Sequence, residues 1–465
     1  MNRCNSLAEF ARHTNRSCGR ALLQRLLLAC TLAATMAHAA DGDPDTTFGN
    51  AGVDYVEWAG GPAEGARIAV GIDAKIYVGA TIEQANDNYD FAITRLGKNG
   101  GLDFGFGFQG YRTVAFDYVT DGYDRLQGVF PLSDGKLMLL GNAEIAGEII
   151  AASPPAMVRV TANGNVDTTF GSAGRLSITA AQSPWPNARL YLRGVARQPD
   201  GKFLFGGHCL NCAGTYSAVA LRVDANGTPD ASFGQNGWAK IPVPQPTSLW
   251  SMGIDRQSRI VIAGNVVENG AHRPMVVRFA STGLADTTFG GGDGVALVTL
   301  IDGATVNWGA TAVAFDYDDA LLVSVASYLP LDVPRTGVIR LLSNGNLPLN
   351  YGNGGTGLRD LTREEGSKIS AVAMRSDRRL VSAGWIDHSG LDFYGARLLS
   401  DGSLDNTFSG NGVARYSLST SQDEAESMVL AAGKPLMAGI SYVAGNRGVS
   451  VLRLQSDLIF TDGVE

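Results

Sequence analysis

One short motif returns seven times along this chain at nearly constant spacing. It reads Asp-Thr-Thr-Phe-Gly at residues 167–171 and recurs, with variations, on both sides of that position. Successive aromatic residues of the motif are 58, 64, 63, 56, 62 and 57 positions apart. These residues are Phe48, Phe106, Phe170, Phe233, Phe289, Tyr351 and Phe408. A fixed period of this size predicts an array of similar units that bury their cores by stacking on their neighbours.

Each repeat contains four segments with the character of β-strands. In the third repeat they are residues 175–179, 190–197, 203–206 and 216–223, and a Pro-Asp-Gly-Lys turn at residues 199–202 joins the second to the third. A tight, glycine-containing turn between two apolar runs predicts a β-hairpin. Because the pattern fits every repeat, the sequence predicts an all-β, seven-bladed β-propeller with four antiparallel strands per repeat. A solenoid or two stacked sandwiches is the alternative.

The residues that recur in every repeat are expected to have structural roles. Each motif Phe should pack as a wedge between blades, each motif Asp should hydrogen-bond the backbone that follows it, and the next Gly should adopt backbone angles that other residues resist. The Arg of each fourth strand is expected to meet a turn carboxylate in the next blade. These arginines are Arg95, Arg159, Arg222, Arg278, Arg340, Arg397 and Arg453. A functional site should therefore be sought in residues that differ between repeats.

These motifs resemble those of the delta-60 repeat proteins of bacteria. The resemblance rests on the Leu-Asp-x-x-Phe-Gly-x-x-Gly pattern, the Pro-Asp-Gly-Lys turn, and the Arg-containing fourth strand with its Asn-Gly or Asp-Gly turn. It covers about residues 44–455, although Asn350-Tyr351 replaces Asp-x-x-Phe in the sixth repeat. The resemblance implies export and a propeller-like fold. It implies no reaction and no shared catalytic residue.

The N-terminus has the pattern of a secretory signal peptide. Five arginines precede an apolar run that ends at Ala37, and this run is too short to span a bilayer. Small residues at Ala37 and Ala39 fit a cleavage site, whereas lipid attachment at Cys30 is the alternative. The sequence therefore predicts three segments. They are a signal peptide at residues 1–39, the propeller at 40–455 and a C-terminal tail at 456–465.

Composition and the tail narrow the compartment and the partners. Loss of residues 1–39 would leave 32 basic and 44 acidic residues, a net charge of −12, which argues against nucleic acid as a partner. No later segment is apolar enough to predict a transmembrane helix, and we expect a monomer. The tail resembles the Ile-Phe-x-Asp-Gly-Phe-Glu ending of exported gammaproteobacterial proteins. We therefore expect the protein in the periplasm, on the cell surface or outside a diderm bacterium.

Two cysteines would remain in the exported chain. Cys209 and Cys212 lie in a hairpin loop that is peculiar to the third repeat. In an exported protein this position favours a structural disulfide. Metal binding or dithiol redox chemistry is the alternative.

Strand alternation predicts two different faces of the propeller. The second-to-third turns and the Asp-x-x-Phe-Gly links share one end, the uniform face, and the remaining loops share the other end, the variable face. Aromatic residues in or beside the variable-face loops are candidate ligand-binding residues, because exposed indoles suit stacking on sugar rings or anchoring a protein partner. They are Trp58, Tyr123, Trp185, Trp250, Trp308 and Trp385. The alternative is that these rings pack over the blade ends.

No motif in the sequence identifies a reaction or a required cofactor. Acidic stretches at residues 41–45 and 316–319 leave Ca²⁺ as an alternative, and three loop histidines, His208, His272 and His388, point only weakly to a metal. The first hypothesis is a non-enzymatic binding or scaffold protein with a glycan, envelope or protein partner on the variable face. The second is a glycan hydrolase or lyase that uses carboxylates near the propeller mouth. The third is a purely structural surface module.

Overall fold

The predicted seven-bladed β-propeller is confirmed. The computed structural model describes residues 40–456 apart from 59–60, 85–87, 120–121, 146–153, 186, 246, 301–307, 328–334, 349, 353–356 and 362–365. Within these residues, 28 strands form seven four-stranded antiparallel sheets, and the helical content is one 3-10 helix, Ala180–Gln182. None of the described helices could cross a membrane. The predicted signal peptide and residues 457–465 of the predicted tail lie outside the described part of the chain.

The first three complete blades follow one another along the chain. Each has its strands in sequential order from the inner to the outer edge. Their strands are β2 (Ala63–Val70), β3 (Ile76–Glu83), β4 (Tyr89–Leu96) and β5 (Tyr111–Val114); β6 (Arg125–Pro131), β7 (Leu137–Asn142), β8 (Pro155–Val160) and β9 (Arg175–Ser177); and β10 (Arg189–Arg197), β11 (Phe203–Cys212), β12 (Thr215–Val223) and β13 (Trp238–Pro242).

The next three blades repeat this order. Their strands are β14 (Thr247–Ile254), β15 (Ile260–Glu268), β16 (Ala271–Phe279) and β17 (Val295–Leu297); β18 (Trp308–Phe315), β19 (Leu321–Ser327), β20 (Thr336–Leu341) and β21 (Leu358–Asp360); and β22 (Gly366–Met374), β23 (Leu380–Asp387), β24 (Leu391–Leu398) and β25 (Val413–Tyr416).

The seventh blade closes the ring with strands from both parts of the chain. It contains β26 (Asp423–Ala431), β27 (Lys434–Val443), β28 (Asn446–Arg453) and, as its outer strand, β1 (Val53–Val56). The strand that follows each motif therefore completes the preceding blade, so a sequence repeat is offset from a structural blade by one strand. The first strand of every blade packs against the first strands of its neighbours. These seven inner strands, β2, β6, β10, β14, β18, β22 and β26, surround a central channel.

The motif Asp is the centre of a repeated ion-pair arrangement, illustrated by the link between β8 and β9. Oδ1 of Asp167 accepts hydrogen bonds from the backbone N–H and the hydroxyl of Thr169, at 3.1 and 2.6 Å. Its Oδ2 lies 2.8 Å from Nε of Arg159 and 2.9 Å from Nζ of Lys136, which belongs to the turn between β6 and β7. The prediction that this Asp fixes its own turn is confirmed.

The expectation that the repeated Arg meets a carboxylate in the next blade is wrong. In five blades it pairs with the Asp eight residues later, because the end of its strand lies beside the outgoing link of the same blade, and in the seventh blade Arg453 pairs with Asp45 of the N-terminal link. The next blade receives a different bond: Nη1 of Arg95 donates to the carbonyl of Ala162 at 2.6 Å. The six ion pairs are Arg95–Asp103, Arg159–Asp167, Arg222–Asp230, Arg278–Asp286, Arg397–Asp405 and Arg453–Asp45.

The motif Phe and Gly act as predicted. Phe170 packs in one cluster with Met157 of β8 and Phe203 of β11, and so fills the space between two blades. The Arg159 guanidinium lies over the Phe170 ring, 5.1 Å from its centroid, which adds a cation–π contact. Gly171 has a φ of 51°, and a Cβ at this position would lie 2.2 Å from the carbonyl oxygen of Arg175. A larger residue would therefore displace the strand that begins there.

The sixth repeat departs from the motif at two positions together. Pro348 stands where other links have Asp, and Ala320 stands where other turns have Lys or Arg. Without a link carboxylate, Arg340 turns to the preceding turn, where Nη2 lies 3.1 Å from Asp316 and forms a second ion pair with Asp318. The acidic stretch that left Ca²⁺ as an alternative thus supplies the partners of this arginine.

The two faces follow from one contact that recurs in several blades. Lys202, in the turn between β10 and β11, reaches Asp230, in the link between β12 and β13, at 3.0 Å. Turns and links therefore share the uniform face. The hairpins between second and third strands and the connections between blades lie at the variable face. Each inner strand thus starts at the variable face and runs along the channel toward the uniform face.

Candidate functional site in the central channel

The central channel forms a cavity of about 730 Å³. Its lining residues come from all seven inner strands. A cavity of this size falls within the range of small-ligand pockets. Because its walls are strands of a closed ring, the side chains that line it are held by backbone pairing and not by loops.

Every inner strand carries a β-bulge or a related irregularity at the same height in the channel. In six strands one extra residue interrupts the pairing with the second strand, whereas in β2 the irregularity covers Gly65 and Ala66 and is followed by Arg67. A bulge re-aims a side chain, and here it directs one residue per blade into the channel. We call these seven lining residues the bulge ring: Arg67, Gln127, Arg193, Trp250, Thr311, Ser370 and Glu426.

A glycine in the second strand makes room for the bulge in five blades. A Cβ on Gly264 would lie 2.0 Å from the carbonyl oxygen of Ser248, two residues before Trp250. The inner strand therefore approaches its neighbour more closely than any side chain would permit. The same close approach recurs, at 1.9–2.1 Å, at Gly141, Gly207, Gly384 and Gly439.

The lining of the channel is cationic although the chain is acidic. Arg67, Arg125, Arg193 and Lys368 line it together with one carboxylate, Glu426, which gives a local charge of +3, whereas the whole chain carries −8. Among the residues that the structure describes, no carboxylate forms an ion pair with Arg125, Arg193 or Lys368. This local excess of positive charge attracts anions into the channel.

The pKa values of two channel arginines are lowered by burial and by the neighbouring positive charge of Arg125. Burial lowers the pKa of Arg67, with Glu426 opposing the shift and the charge of Arg125 adding to it. Burial also lowers the pKa of Arg193, and Arg125 again adds to the shift. A guanidinium keeps its proton at neutral pH. These side chains therefore hold positive charge in a partly desolvated space.

Several channel residues are fixed by bonds to the neighbouring blade. Nε1 of Trp250 donates a hydrogen bond to the carbonyl of Ala310 at 2.9 Å, which leaves the half-buried indole in the channel wall. A carboxylate oxygen of Glu426 accepts a hydrogen bond from the backbone N–H of Ala66 across the closing seam. Beyond the bulge ring, toward the uniform face, the lining becomes apolar. It includes Val195, Met252 and Met428.

The six predicted aromatic residues do not come together at one site. Trp58, Trp185 and Trp308 are 4, 5 and 2% exposed, so they offer almost no surface for stacking on a ligand. Trp185 packs edge-on against Trp238 at 6.1 Å, as expected for a ring that seals the end of a blade. Among the six, Trp250 lines the channel.

The other two aromatic candidates lie outside the channel lining. Trp385 is half-buried in β23, opposite Phe393 of β24. The ring of Tyr123 contacts that of Tyr89 in a tilted arrangement, with the centroids 4.4 Å apart, and its hydroxyl donates a hydrogen bond to Glu64 at 3.0 Å. Ligand binding by these six residues stays a prediction, and the structure gives it a clear geometric basis only at Trp250.

The favoured disulfide is present. Cys209 and Cys212 are bonded at the end of β11, with their Cα atoms 5.8 Å apart, and both are fully buried. They belong to the cluster that also contains Trp185 and Trp238. The bond therefore closes the tip of this hairpin over the core.

The three histidines belong to three different blades: His208 lies in β11, His272 in β16 and His388 directly after β23. Nδ1 of His208 accepts a hydrogen bond from the N–H of Leu249, and its ring stacks on Tyr191 at 4.9 Å. Burial lowers the pKa of His208 to about 4, so it is neutral at physiological pH. Among the described residues, no group of three His, Cys, Asp or Glu side chains has a geometry suited to a metal ion.

Sequence reasoning missed every cation of the channel. One signal was available: a glycine recurs inside the second strand of five repeats, and glycine inside a strand marks a bulge or a close backbone approach. That signal locates the height of the bulge. Its residue could be identified only once the pairing register of the two strands was known.

A family model agrees with the repeated part of the structure. The model described as "Domain of unknown function (DUF5122) beta-propeller" matches residues 132–170, 198–233, 258–289 and 375–408. These four segments, which cover less than half of the chain, are similar to repeats of that β-propeller family. Each matched segment ends at a motif Phe and begins at or near the turn before a second strand, so the inner strands that carry the bulge ring lie outside the matches. The delta-60 name stays a prediction.

Solved structures similar to this chain are propellers with different roles. Virginiamycin B lyase of Staphylococcus aureus is 12% identical, with a TM-score of 0.47 over 86% of this chain and 98% of that chain. Drosophila Semaphorin 1b is 10% identical, with a TM-score of 0.42 over 89 and 88%. Trypanosoma rangeli sialidase is 9% identical, with a TM-score of 0.42 over 84 and 55%. No curated protein matches the sequence. At these values the neighbours say nothing about the activity of this chain.

Proposed function

We propose that this protein is an exported, non-enzymatic binding protein that takes its ligand into the central channel from the variable face. The observation that carries the proposal is the bulge ring. Seven inner strands share one irregularity, yet the residues it directs into the channel are of six different types. A scaffold needs the bulge in each blade but has no need for different side chains on it. Residues that differ at one fixed position are suited to recognising an asymmetric ligand.

The charge of the channel supports binding over a purely structural role. Arg125, Arg193 and Lys368 would cost stability if they served only to pack the ring, because like charges near one another repel. At the uniform face, in contrast, each repeated Arg has a carboxylate partner. A ligand that enters the channel would supply the missing countercharge or the missing hydrogen-bond acceptors.

Calorimetric titration of the purified protein with neutral and acidic glycans and with envelope fractions tests this proposal. A Trp250→Ala variant should lose affinity for the ligand found, because the indole forms part of the channel wall. A Trp385→Ala variant is the matched control, since Trp385 is a half-buried tryptophan outside the channel lining. Equal binding by the Trp250→Ala variant and the wild type would remove the channel as the site.

A glycan hydrolase or lyase is the alternative, and one observation favours it. Burial and the charge of Glu426 raise the pKa of Glu424, which lies two residues earlier on β26. Two nearby carboxyl groups whose environments move their pKa values apart are the requirement for acid–base cleavage of a glycosidic bond. Release of reducing ends from a bound glycan that disappears in a Glu424→Gln variant would establish this alternative. A bound glycan that is recovered intact would exclude it for that glycan.

A further inference from the structure

We infer that the ligand of the channel is an acidic oligosaccharide whose ring carboxylate is held by the channel arginines. This inference rests on the proposed function and names the chemical class of the ligand. It is drawn from three features of the channel: its unmatched cations, the chemistry of its guanidinium groups, and the indole in its wall.

The first feature is the position of the cations relative to the entrance. Arg125 and Lys368 precede the bulge residues of their strands by two positions, so they lie nearer the variable face. Arg193 and Arg67 lie at the height of the bulge. A ligand that enters from the variable face would therefore meet Arg125 and Lys368 first, with Glu424 near Lys368 at the same level of β26, and would reach the apolar lining around Met252 and Met428 last.

The second feature is the type of cation. Three of the four are arginines, and the planar guanidinium matches the two oxygens of a carboxylate. Arg67 is already oriented, because its Nε donates to the carbonyl of Gln127 at 2.9 Å and its Nη1 to the carbonyl of Ala66 at 2.8 Å. No such bond fixes the side chains of Arg125 and Arg193 among the described residues. These two are the groups that remain available to a carboxylate.

The third feature distinguishes a sugar from a simple anion. The bulge ring combines the cations with Trp250, whose indole suits stacking on the apolar face of a pyranose. Ser370 adds a hydroxyl group at the same height that can bond a ring hydroxyl, and the Thr311 hydroxyl, which already bonds that of Ser324 at 2.8 Å, has capacity for one more bond. The amide of Gln127 is already engaged by Asn142 and by the carbonyl of Leu192. A small inorganic anion would use the arginines and leave the rest of the ring without a role.

The deciding experiment compares one oligosaccharide in its charged and uncharged forms. Calorimetric titration with trigalacturonate should give saturable binding, whereas its methyl ester, with the same rings but no carboxylate charge, should bind about tenfold or more weakly. Binding of trigalacturonate should weaken as the salt concentration is raised from about 50 to about 300 mM, because salt screens the attraction between its carboxylates and the channel cations. Equal affinity for acid and ester would overturn the inference while leaving channel binding intact.

Variants assign the effect to the channel. Arg193→Gln should lower the affinity for trigalacturonate about tenfold and leave that for the ester nearly unchanged. Lys98→Gln is the control, because it removes the same charge from an exposed position on the uniform face. An equal loss in both variants would reduce the effect to net charge and overturn the inference.

Three further outcomes separate the inference from the proposed function. Loss of both acid and ester binding in Trp250→Ala would support the site and the stacking role together. Acid and ester binding that neither Trp250→Ala nor Arg193→Gln changes would place the ligand elsewhere and contradict the proposed function as well. Competition by inorganic phosphate at the affinity of trigalacturonate would show that the channel takes anions without reading the sugar, which would overturn the inference.

Discussion

The uniform face and the central channel hold their charged residues in opposite arrangements. At the uniform face the repeated cations and the motif Asp are matched, as in the pair of Arg278, which is fully buried, with Asp286 at 2.7 Å. In the channel Arg125 and Arg193 form no ion pair among the described residues. Matched charges fix the link within each blade, and unmatched ones are available to a ligand. The comparison separates the residues that build the propeller from those proposed to give it a function.

Carboxyl groups differ between the two ends in the same way. At the uniform face burial opposes the shift, but Lys434, Thr47 and Arg453 together hold the pKa of Asp45 at about 2. At the variable end of the seam between the first two complete blades, burial raises the pKa of Asp90 to about 6 and that of Asp124 to about 7. Protonation in acid should therefore destabilise the uniform face, where Asp45 is held in its charged form. At the variable end it should remove the cost of burying the charges of Asp90 and Asp124.

The largest effect is expected from breaking a matched pair at the uniform face. An Asp286→Asn variant keeps the shape of the link but leaves the buried Arg278 without its countercharge. We expect the free energy of unfolding to fall by about 3–5 kcal/mol. Chemical denaturation measures this loss. Asp293→Asn is the control, because this exposed Asp accepts a backbone hydrogen bond that Asn can also accept. Similar stability of the two variants would show that the Arg278–Asp286 ion pair does not stabilise the fold and would contradict this prediction.

The next effect is a gain of stability that depends on pH. Because the folded state raises the pKa of Asp90 above its unfolded value near 4, its contribution is fully present below pH 4 and is lost as the pH rises through about 6. An Asp90→Asn variant carries no charge at any pH. It should therefore be more stable than the wild type by about 1–3 kcal/mol at pH 8 and similar to it at pH 4. Unfolding midpoints at both pH values measure the difference. The same gain at both pH values would exclude ionisation as its cause.

A smaller effect on stability is expected when the missing ion-pair partners of the sixth repeat are restored. Ala320→Lys and Pro348→Asp together restore the cation and the carboxylate of the other repeats beside Arg340. We expect the double variant to be more stable than the sum of its single variants by about 1 kcal/mol, because the new side chains can pair. A double-mutant cycle of unfolding free energies measures this coupling. Strict additivity would mean that the sixth link follows another backbone path.

The smallest effect is expected in the channel. Arg193→Gln removes a cation that has no ion-pair partner among the described residues and that Arg125 repels, so it should raise the free energy of unfolding, by no more than about 0.5 kcal/mol. The same denaturation experiments measure it beside Asp286→Asn. A loss as large as that of Asp286→Asn would break the comparison, since the channel cation would then be part of the scaffold.

The sequence allowed the architecture to be predicted because the information was local and repeated. The motif at Asp167 and Phe170, the turn at Lys202 and the strand alternation recur at one period, so each copy supports the others. The partner of Arg159 was predicted incorrectly because a sequence repeat does not reveal which strands form one blade. That offset became clear only from the pairing of β9 with β8.

The candidate site was less accessible because it depends on register and burial. Trp58 and Trp250 are indistinguishable in the sequence as single tryptophans near loops, yet one is buried and the other lines the channel. Arg193 is one arginine among many until the bulge in β10 directs it inward. Neither property is encoded by a local pattern around these residues.

The most direct test of the central claim is the position of trigalacturonate in a crystal of its complex with this protein. We expect the sugar inside the channel, on the variable-face side of the bulge ring, with a carboxylate within hydrogen-bond distance of Arg125 or Arg193 and a ring beside Trp250. A sugar bound on the outer strands or at the uniform face, with the channel arginines uninvolved, would contradict it.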